Sequence, residues 1–205
     1  MILEAWESQV AKPAPATILP DGCQDLLFTA LPGQAPRWQI TTLDDTPYRI
    51  EMPAGTYFKG YRMQAGVGFN TTKLLESLRD LPPDHAGIED RLHAFTSLEP
   101  LVEDALEALQ EQAVEGGRVA HAATRLGIHQ RRMQRGLKRN TGRNAARWLA
   151  LARVRKASRL LASRATLADI AYEAGFSDQP HMTRAFRQWL GTTPKYVPVL
   201  SLGYG

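Results

Sequence analysis

Two groups of side chains in this sequence combine polar chemistry with a telling spacing. The first is Asp21, Cys23 and Asp25, which alternate and so would share one face of a strand. A thiol between two carboxylates is held toward its neutral form, which opposes a nucleophilic thiolate. Metal binding would need histidine or further cysteine beside it, and the nearest histidine is His85. The group therefore reads as a small core cysteine next to a turn that Asp21 stabilises. The second group is Gln179, His181, Arg184 and Arg187 in the run SDQPHMTRAFRQW. It is an array of donors and acceptors suited to an external polar surface. No Ser/His/Asp set and no phosphate-binding glycine loop accompanies either group, so no catalytic residue, metal site or cofactor is predicted and the chain does not read as an enzyme.

The second group must be held by the stretch from Thr166 to Tyr196. Thr166 followed by Asp169 is a capping box that starts a helix at Leu167. Leu167, Ile170, Ala171 and Ala174 fall at helical spacing and form its buried face. Gly175 ends it, because glycine accepts the left-handed conformation of a tight turn. Phe176 plugs the gap between helices, and Ser177 is the expected N-cap of a second helix from Asp178 to about Leu190. Pro180 falls in the first turn, where its missing N–H leaves no bond unmade. Met182, Ala185, Phe186 and Trp189 make the buried stripe, which leaves the polar group on the other faces. Small Ala171 and Gly175 let the two helices cross closely, the helix-turn-helix arrangement whose second helix enters the DNA major groove.

The same pattern occurs upstream in RVAHAATRLGIHQRRMQRGLKRNTG, beginning at Arg118. Ala123 and Gly127 repeat the small pair, and a shift of 49 residues carries Met133 onto Met182, Arg135 onto Arg184, Leu137 onto Phe186, Lys138 onto Arg187 and Gly142 onto Gly191. Two departures stand out. His129 replaces the small polar cap, and Gly136 sits inside the helix at a cost of about 1 kcal/mol relative to alanine, so the first unit is expected to be the looser reader. Asn144 caps a helix from about Ala145 to Ser163, with Trp148, Leu151, Ala152, Leu160 and Leu161 facing the units it joins. Arg147, Arg153, Arg155, Lys156, Arg159 and Arg164 are too numerous to be buried; solvated surface suits most, and phosphate contact some. About 19 helical residues span roughly 28 Å, near the spacing of successive major-groove faces, so one chain could read two adjacent segments.

Charge divides the chain at the same place. Residues 1–116 hold 8 Lys+Arg against 18 Asp+Glu, a net −10, while residues 117–205 hold 17 against 3, a net +14. A basic module joined to an acidic one favours nucleic acid as the ligand of the first. The 205 residues accommodate one large or two small domains, with 43% hydrophobic and 22% charged residues as in soluble globular proteins. No run of 18 apolar residues predicts a membrane span, and MILEAWESQV lacks the basic and apolar regions of a signal peptide. One cysteine allows no internal disulfide, and a cytoplasmic location is expected.

Residues 1–63 read mainly as strands. Pro20-Asp21-Gly22 is a turn between Ile18-Leu19 and Leu26-Leu27-Phe28, and further strands are expected over 37–41, 48–52 and 56–63. Trp38, Tyr48, Tyr57, Phe58 and Tyr61 suit either an apolar pocket for an effector or an ordinary core. Helical spacing takes over at residue 71. Leu74, Leu75 and Leu78 mark one helix, Ile88 to Phe95 a second, and Ser97 caps a third whose stripe is Leu101, Val102, Ala105, Leu106 and Leu109. That stripe suits internal packing, with a dimer seam as the other use. Glu115-Gly116-Gly117 reads as a linker, so the expected domains are 1–115 (strands over 1–63, helices over 71–115) and 116–205. In the second, the helix-turn-helix units fall at 118–139 and 166–190 and the joining helix at 145–163. The stretch from Pro198 to Gly205 carries no pattern and is expected to be mobile.

The run ADIAYEAGFSDQPHMTRAFRQWLGTTP resembles the second helix-turn-helix of AraC-type transcription regulators, and ILPDGCQDLLF and FKGYRMQAG resemble landmarks in the N-terminal domains of one subgroup. The resemblance implies an α+β chain: a small β-rich, incomplete barrel-like sensor with helices, then an all-α domain of two helix-turn-helix units joined by a long helix. It implies sequence-specific binding of double-stranded DNA, with Arg131, Gln134, Arg135, Gln179, His181 and Arg184 as base readers. Arginine can donate two bonds to guanine and glutamine can pair with adenine, whereas Lys138 and Arg187 are better placed for phosphate. A small-molecule effector and RNA polymerase are further candidate partners, and monomer and homodimer both stay open. Two rivals remain: a non-specific architectural DNA binder, and a DNA-repair alkyl-acceptor protein using Cys23.

Overall fold

The computed structural model describes residues 1–197, so the tail from Pro198 to Gly205 lies outside the described residues. The described residues divide into two compact units. One comprises 1–18, 23–43 and 48–99; the other comprises 19–22, 44–47 and the chain from Pro100 onward.

The first unit is built on a four-stranded antiparallel sheet in the order β1-β6-β3-β4, formed by Ile2–Gln9, Tyr57–Met63, Gln24–Ala30 and Arg37–Ile40. Strands β2 (Ala14–Ile18) and β5 (Tyr48–Met52) make a separate antiparallel pair. A third pair joins β7 (Gly68–Phe69) to β8 (Thr96–Ser97), which flank helices α1 (Thr71–Leu78) and α2 (Ile88–Phe95). Alternation sends Leu26, Phe28, Tyr61 and Met63 to one sheet face, where they join Leu74, Leu78, Ile88 and Leu92 in a continuous core. On the opposite face Trp6 lies across Gly60, its cross-strand partner, in the space a Cβ would occupy.

The aromatic residues are not brought together around a pocket. Trp38 and Tyr61 are buried, Phe28 packs edge-on to Trp38 and Tyr57, and the Trp38 indole N–H donates to the Leu81 carbonyl at 3.1 Å. Strand alternation turns Phe58 to the other face, and Tyr48 is exposed. Core packing thus accounts for Trp38, Tyr61 and, in part, Tyr57.

The second unit is helical. Helix α3 (Pro100–Glu115) packs on α4 (Val119–Arg125), α5 (Gln130–Thr141) and α6 (Ala145–Leu160), followed by α7 (Leu167–Glu173) and α8 (Gln179–Leu190). Sequence placed α3 with the first domain and a linker at Gly116-Gly117. Instead the units part between Glu99 and Pro100. Val102, Ala105, Leu106 and Leu109 are buried, and Arg125 of α4 pairs with Glu111 at 2.8 Å and Glu115 at 3.5 Å. Gly117 is fastened too: its N–H donates to Gln112 and its carbonyl accepts from Arg153 at 2.7 Å. Ser97 lies in β8 and does not cap α3, which starts at Pro100, a residue whose missing N–H suits a first turn. Helix α6 stops at Leu160, short of the expected Ser163, because Ser163 folds back to donate to the Leu160 carbonyl. Among the described residues, no helix is long and apolar enough to cross a membrane.

Candidate nucleic-acid interface

Helices α5 and α8 are built alike. Each is twelve residues long, anchored by a fully buried methionine (Met133, Met182) and a fully buried larger side chain (Leu137, Phe186), and ended by a glycine at positive φ (Gly142, Gly191). Each follows a short helix with a close small pair, Ala123/Gly127 before α5 and Ala171/Gly175 before α8.

Their N-terminal ends differ in chemistry. On α8 the cap is Asp178 rather than Ser177: its carboxylate accepts the His181 N–H at 2.6 Å, and the Ser177 hydroxyl turns to Asp178 and to His181 Nδ1. That backbone hydrogen bond, helped by Ser177 and by the charge of Arg184, holds the Asp178 carboxyl below its ordinary value. On α5, His129 fills the same role, with its Nδ1 accepting the Arg131 N–H at 3.2 Å. The imidazole is thus a working cap in place of the small polar residue expected there.

The second departure also has a structural cause. Gly136 is buried against Leu101 of α3, and a Cβ at this position would sit 3.1 Å from Leu101. The missing side chain leaves room for Leu101 of α3 against α5.

The opposite faces are open. Arg131, Gln134, Arg135 and Lys138 on α5 and Gln179, Arg184 and Arg187 on α8 are exposed. Two candidates are tied within the chain. His181 is half-buried, with its ring edge-on to Phe176 at 5.2 Å and Nδ1 3.0 Å from Ser177 Oγ. The Lys138 ammonium donates to the Gly142 carbonyl at 2.8 Å, closing the end of its own helix. Arg132, which the 49-residue repeat sets opposite His181, is exposed beside the named readers and was not among them.

The basic residues of α6 are largely structural. Lys156 donates to the backbone carbonyls of Val114, at 2.8 Å, and Glu173, and so ties the ends of α3 and α7. Arg155 donates to the Asp21 carbonyl. Burial pulls Arg153 below the ordinary arginine value, with the charge of Arg118 adding to the effect. Arg147 lies with its guanidinium carbon 3.9 Å above the Trp189 ring and its Nε 2.6 Å from Asp45. Burial likewise lowers Arg147, and Asp45 opposes the shift. The next residue, Trp148, donates its indole N–H to Thr141 at the end of α5, at 3.2 Å. Adjacent residues of α6 thus hold the ends of the two readers. Cys23 is half-buried, and among the described residues no group of three His, Cys, Asp or Glu is placed to hold a metal ion.

Two helix pairs, each presenting an open polar face, are the arrangement of a helix-turn-helix. Residues 122–197 match the family model described as a helix-turn-helix domain. The HTH-type transcriptional activator RhaS of Escherichia coli is 38% identical over 74 residues, covering 36% of this chain and 27% of RhaS. This chain's match thus spans about a quarter of that relative. A transcriptional regulator from Chromobacterium violaceum, described as AraC-type in its DNA-binding domain, is 23% identical, with 47% of this chain and 87% of that one covered and a TM-score of 0.43. ToxT from Vibrio cholerae O395 is 8% identical but covers 97% of this chain and 98% of its own, with a TM-score of 0.52, a likeness of fold. Over residues 122–197 the chain is thus similar to helix-turn-helix transcription regulators.

Proposed function

We propose that this chain is a sequence-specific transcription regulator that reads two successive major-groove segments of double-stranded DNA, one with α5 and one with α8. The observation that carries this reading is the repeated presentation: two helices, fixed by matching buried residues, expose Arg135 and Arg184 at equivalent positions. Arg131, Gln134 and Arg135 on α5 and Gln179, His181 and Arg184 on α8 are the base readers of this proposal, the last group with His181 contributing only its free ring edge. Lys138 and Arg187 contact phosphate, Lys138 by exchanging the Gly142 carbonyl for a phosphate oxygen. Activation, the activity in the name of RhaS, is the proposed direction of control. The β-rich unit is the regulatory part, with any effector site lying away from Trp38 and Tyr61, which are packed into the core.

Selection of bound sequences from a random duplex pool by the full chain, at stated salt, tests this. A site with two conserved segments about one helical turn apart is expected. Equal affinity for selected and scrambled duplexes would overturn the reading in favour of architectural binding, which deformable DNA without base contacts can support.

A further inference from the structure

The second reader is held by a piece of chain far from it in sequence. Residues Asp44–Pro47 belong to the helical unit. Asp45 Oδ1 lies 2.6 Å from Arg147 Nε and 2.9 Å from Arg143 Nε, and the Asp44 carbonyl accepts from Arg147 at 3.1 Å. Arg147 in turn lies over the ring of Trp189, which is buried in the last turn of α8. Pro47 closes against Gly191, the α8 C-cap: a Cβ there would sit 3.1 Å from Pro47 Cγ. The equivalent glycine of α5, Gly142, has nothing within 4 Å of its Cβ position, and the residue matching Trp189 is Asn140, which bonds within its own helix.

From this asymmetry we infer that Asp45 is a positioning residue for DNA reading by α8, acting through Arg147 and Trp189, with no comparable part in α5. The inference rests on the function proposed above. A guanidinium stacked on an indole is oriented only as well as its hydrogen-bonding partner fixes its plane, and Asp45 with the Asp44 carbonyl supplies that partner. Helix α8 is twelve residues, about 18 Å long. It behaves as a lever, so a small displacement at Trp189 moves Arg184 at mid-helix and Gln179 at the other end. Base reading tolerates displacements of only about 0.5 Å. Arg143 also meets Asp45, but it lies past the C-cap of α5. The end of α5 is held separately, by Thr141 donating to Leu137 at 2.7 Å and accepting from Trp148.

The test compares full-length wild type, D45N and D45E on duplexes in which either segment of the selected site is scrambled, at several salt concentrations. D45N is expected to lose about tenfold in discrimination at the segment read by α8, with discrimination at the other segment unchanged, and D45E is expected to restore most of it. Hydrogen exchange without DNA should show faster exchange at the end of α8 in D45N, and no change at the end of α5. Equal loss at both segments, no loss, or a uniform gain on every duplex with a steeper salt slope would overturn the inference. The last result would mean that Asp45 only masks two cations. A wild-type chain lacking sequence preference would instead overturn the proposed function, and hydrogen exchange would still decide whether Asp45 braces α8.

Discussion

The two recognition helices share a plan and differ in what stabilises each end. Helix α5 starts on an imidazole, packs a glycine against Leu101, and finishes on a threonine held by Trp148. Helix α8 starts on a carboxylate, carries half-buried Ala185 at the matching position, and finishes on a buried tryptophan under Arg147. At equal offsets the two helices share Arg135 with Arg184 outside and Met133 with Met182 inside, while the contacts that hold their ends differ. The end contacts depend on what packs behind each helix, so one plan can stand on two different supports.

Matched substitutions can break this comparison. The largest effect is expected from Trp189→Ala, which removes a buried indole together with its contact to Arg147. Large-to-small changes of this kind cost about 3–5 kcal/mol, whereas Asn140→Ala at the matching place on α5 should cost under about 1 kcal/mol. Denaturant unfolding of both variants measures the difference, and equal losses would mean that α8 does not depend on this anchor.

Next come Arg184→Ala and Arg187→Ala, three residues apart on α8. Arg184→Ala should cost about 1–3 kcal/mol on the selected site and relax preference at one base pair. Arg187→Ala should weaken all sequences alike and lower the salt slope by about one. Binding to selected and scrambled duplexes across salt separates the two, and equal loss on both duplexes for Arg184→Ala would reassign it to phosphate.

A similar magnitude is expected at Gly136. Gly136→Leu would drive a side chain into Leu101 and should cost about 1–3 kcal/mol through overpacking. Gly136→Ala should be near neutral, since gained helix propensity offsets a small shift of Leu101. Thermal unfolding of both, set beside Ala185→Leu on α8, shows whether α3 presses on the first reader alone.

The smallest effect concerns pH. Asp178 is held below its ordinary value by the His181 N–H first, then by Ser177 and Arg184. A carboxyl depressed in the folded state contributes stability above its unfolded value, and that contribution is lost as pH falls through the folded value. Acidification below the usual carboxylate range should therefore lower the unfolding midpoint more in wild type than in Asp178→Asn, which keeps an N-cap without the acid. Identical acid profiles would remove Asp178 from the account.

What the sequence made legible follows from periodicity. The Thr166–Asp169 box, the Asn144 cap and the glycine ends all act within a few residues of themselves, and each stands in the structure, as does the 49-residue repeat in α5 and α8. Strand β1 was not singled out, because charged residues such as Glu4 and Glu7 interrupt its apolar alternation on an edge strand. The anchoring of α8 left no trace, because Asp45 and Arg147 are a hundred residues apart and no local pattern links them. Helix α3 belongs to the helical unit, which its sequence does not declare for a related reason. An amphipathic stripe declares that it is covered, but not by what.

One consequence follows from the way the chain threads its two units. It enters the helical unit at 19–22, leaves, returns at 44–47, leaves again, and enters finally at Pro100. The helical unit is therefore not a cassette. A fragment beginning at residue 117 would discard α3, and even one beginning at residue 100 would lack the segments that lie against Trp148, Leu151 and Arg147. Grafting this DNA-binding part onto another protein would mean transplanting two loops along with a contiguous stretch.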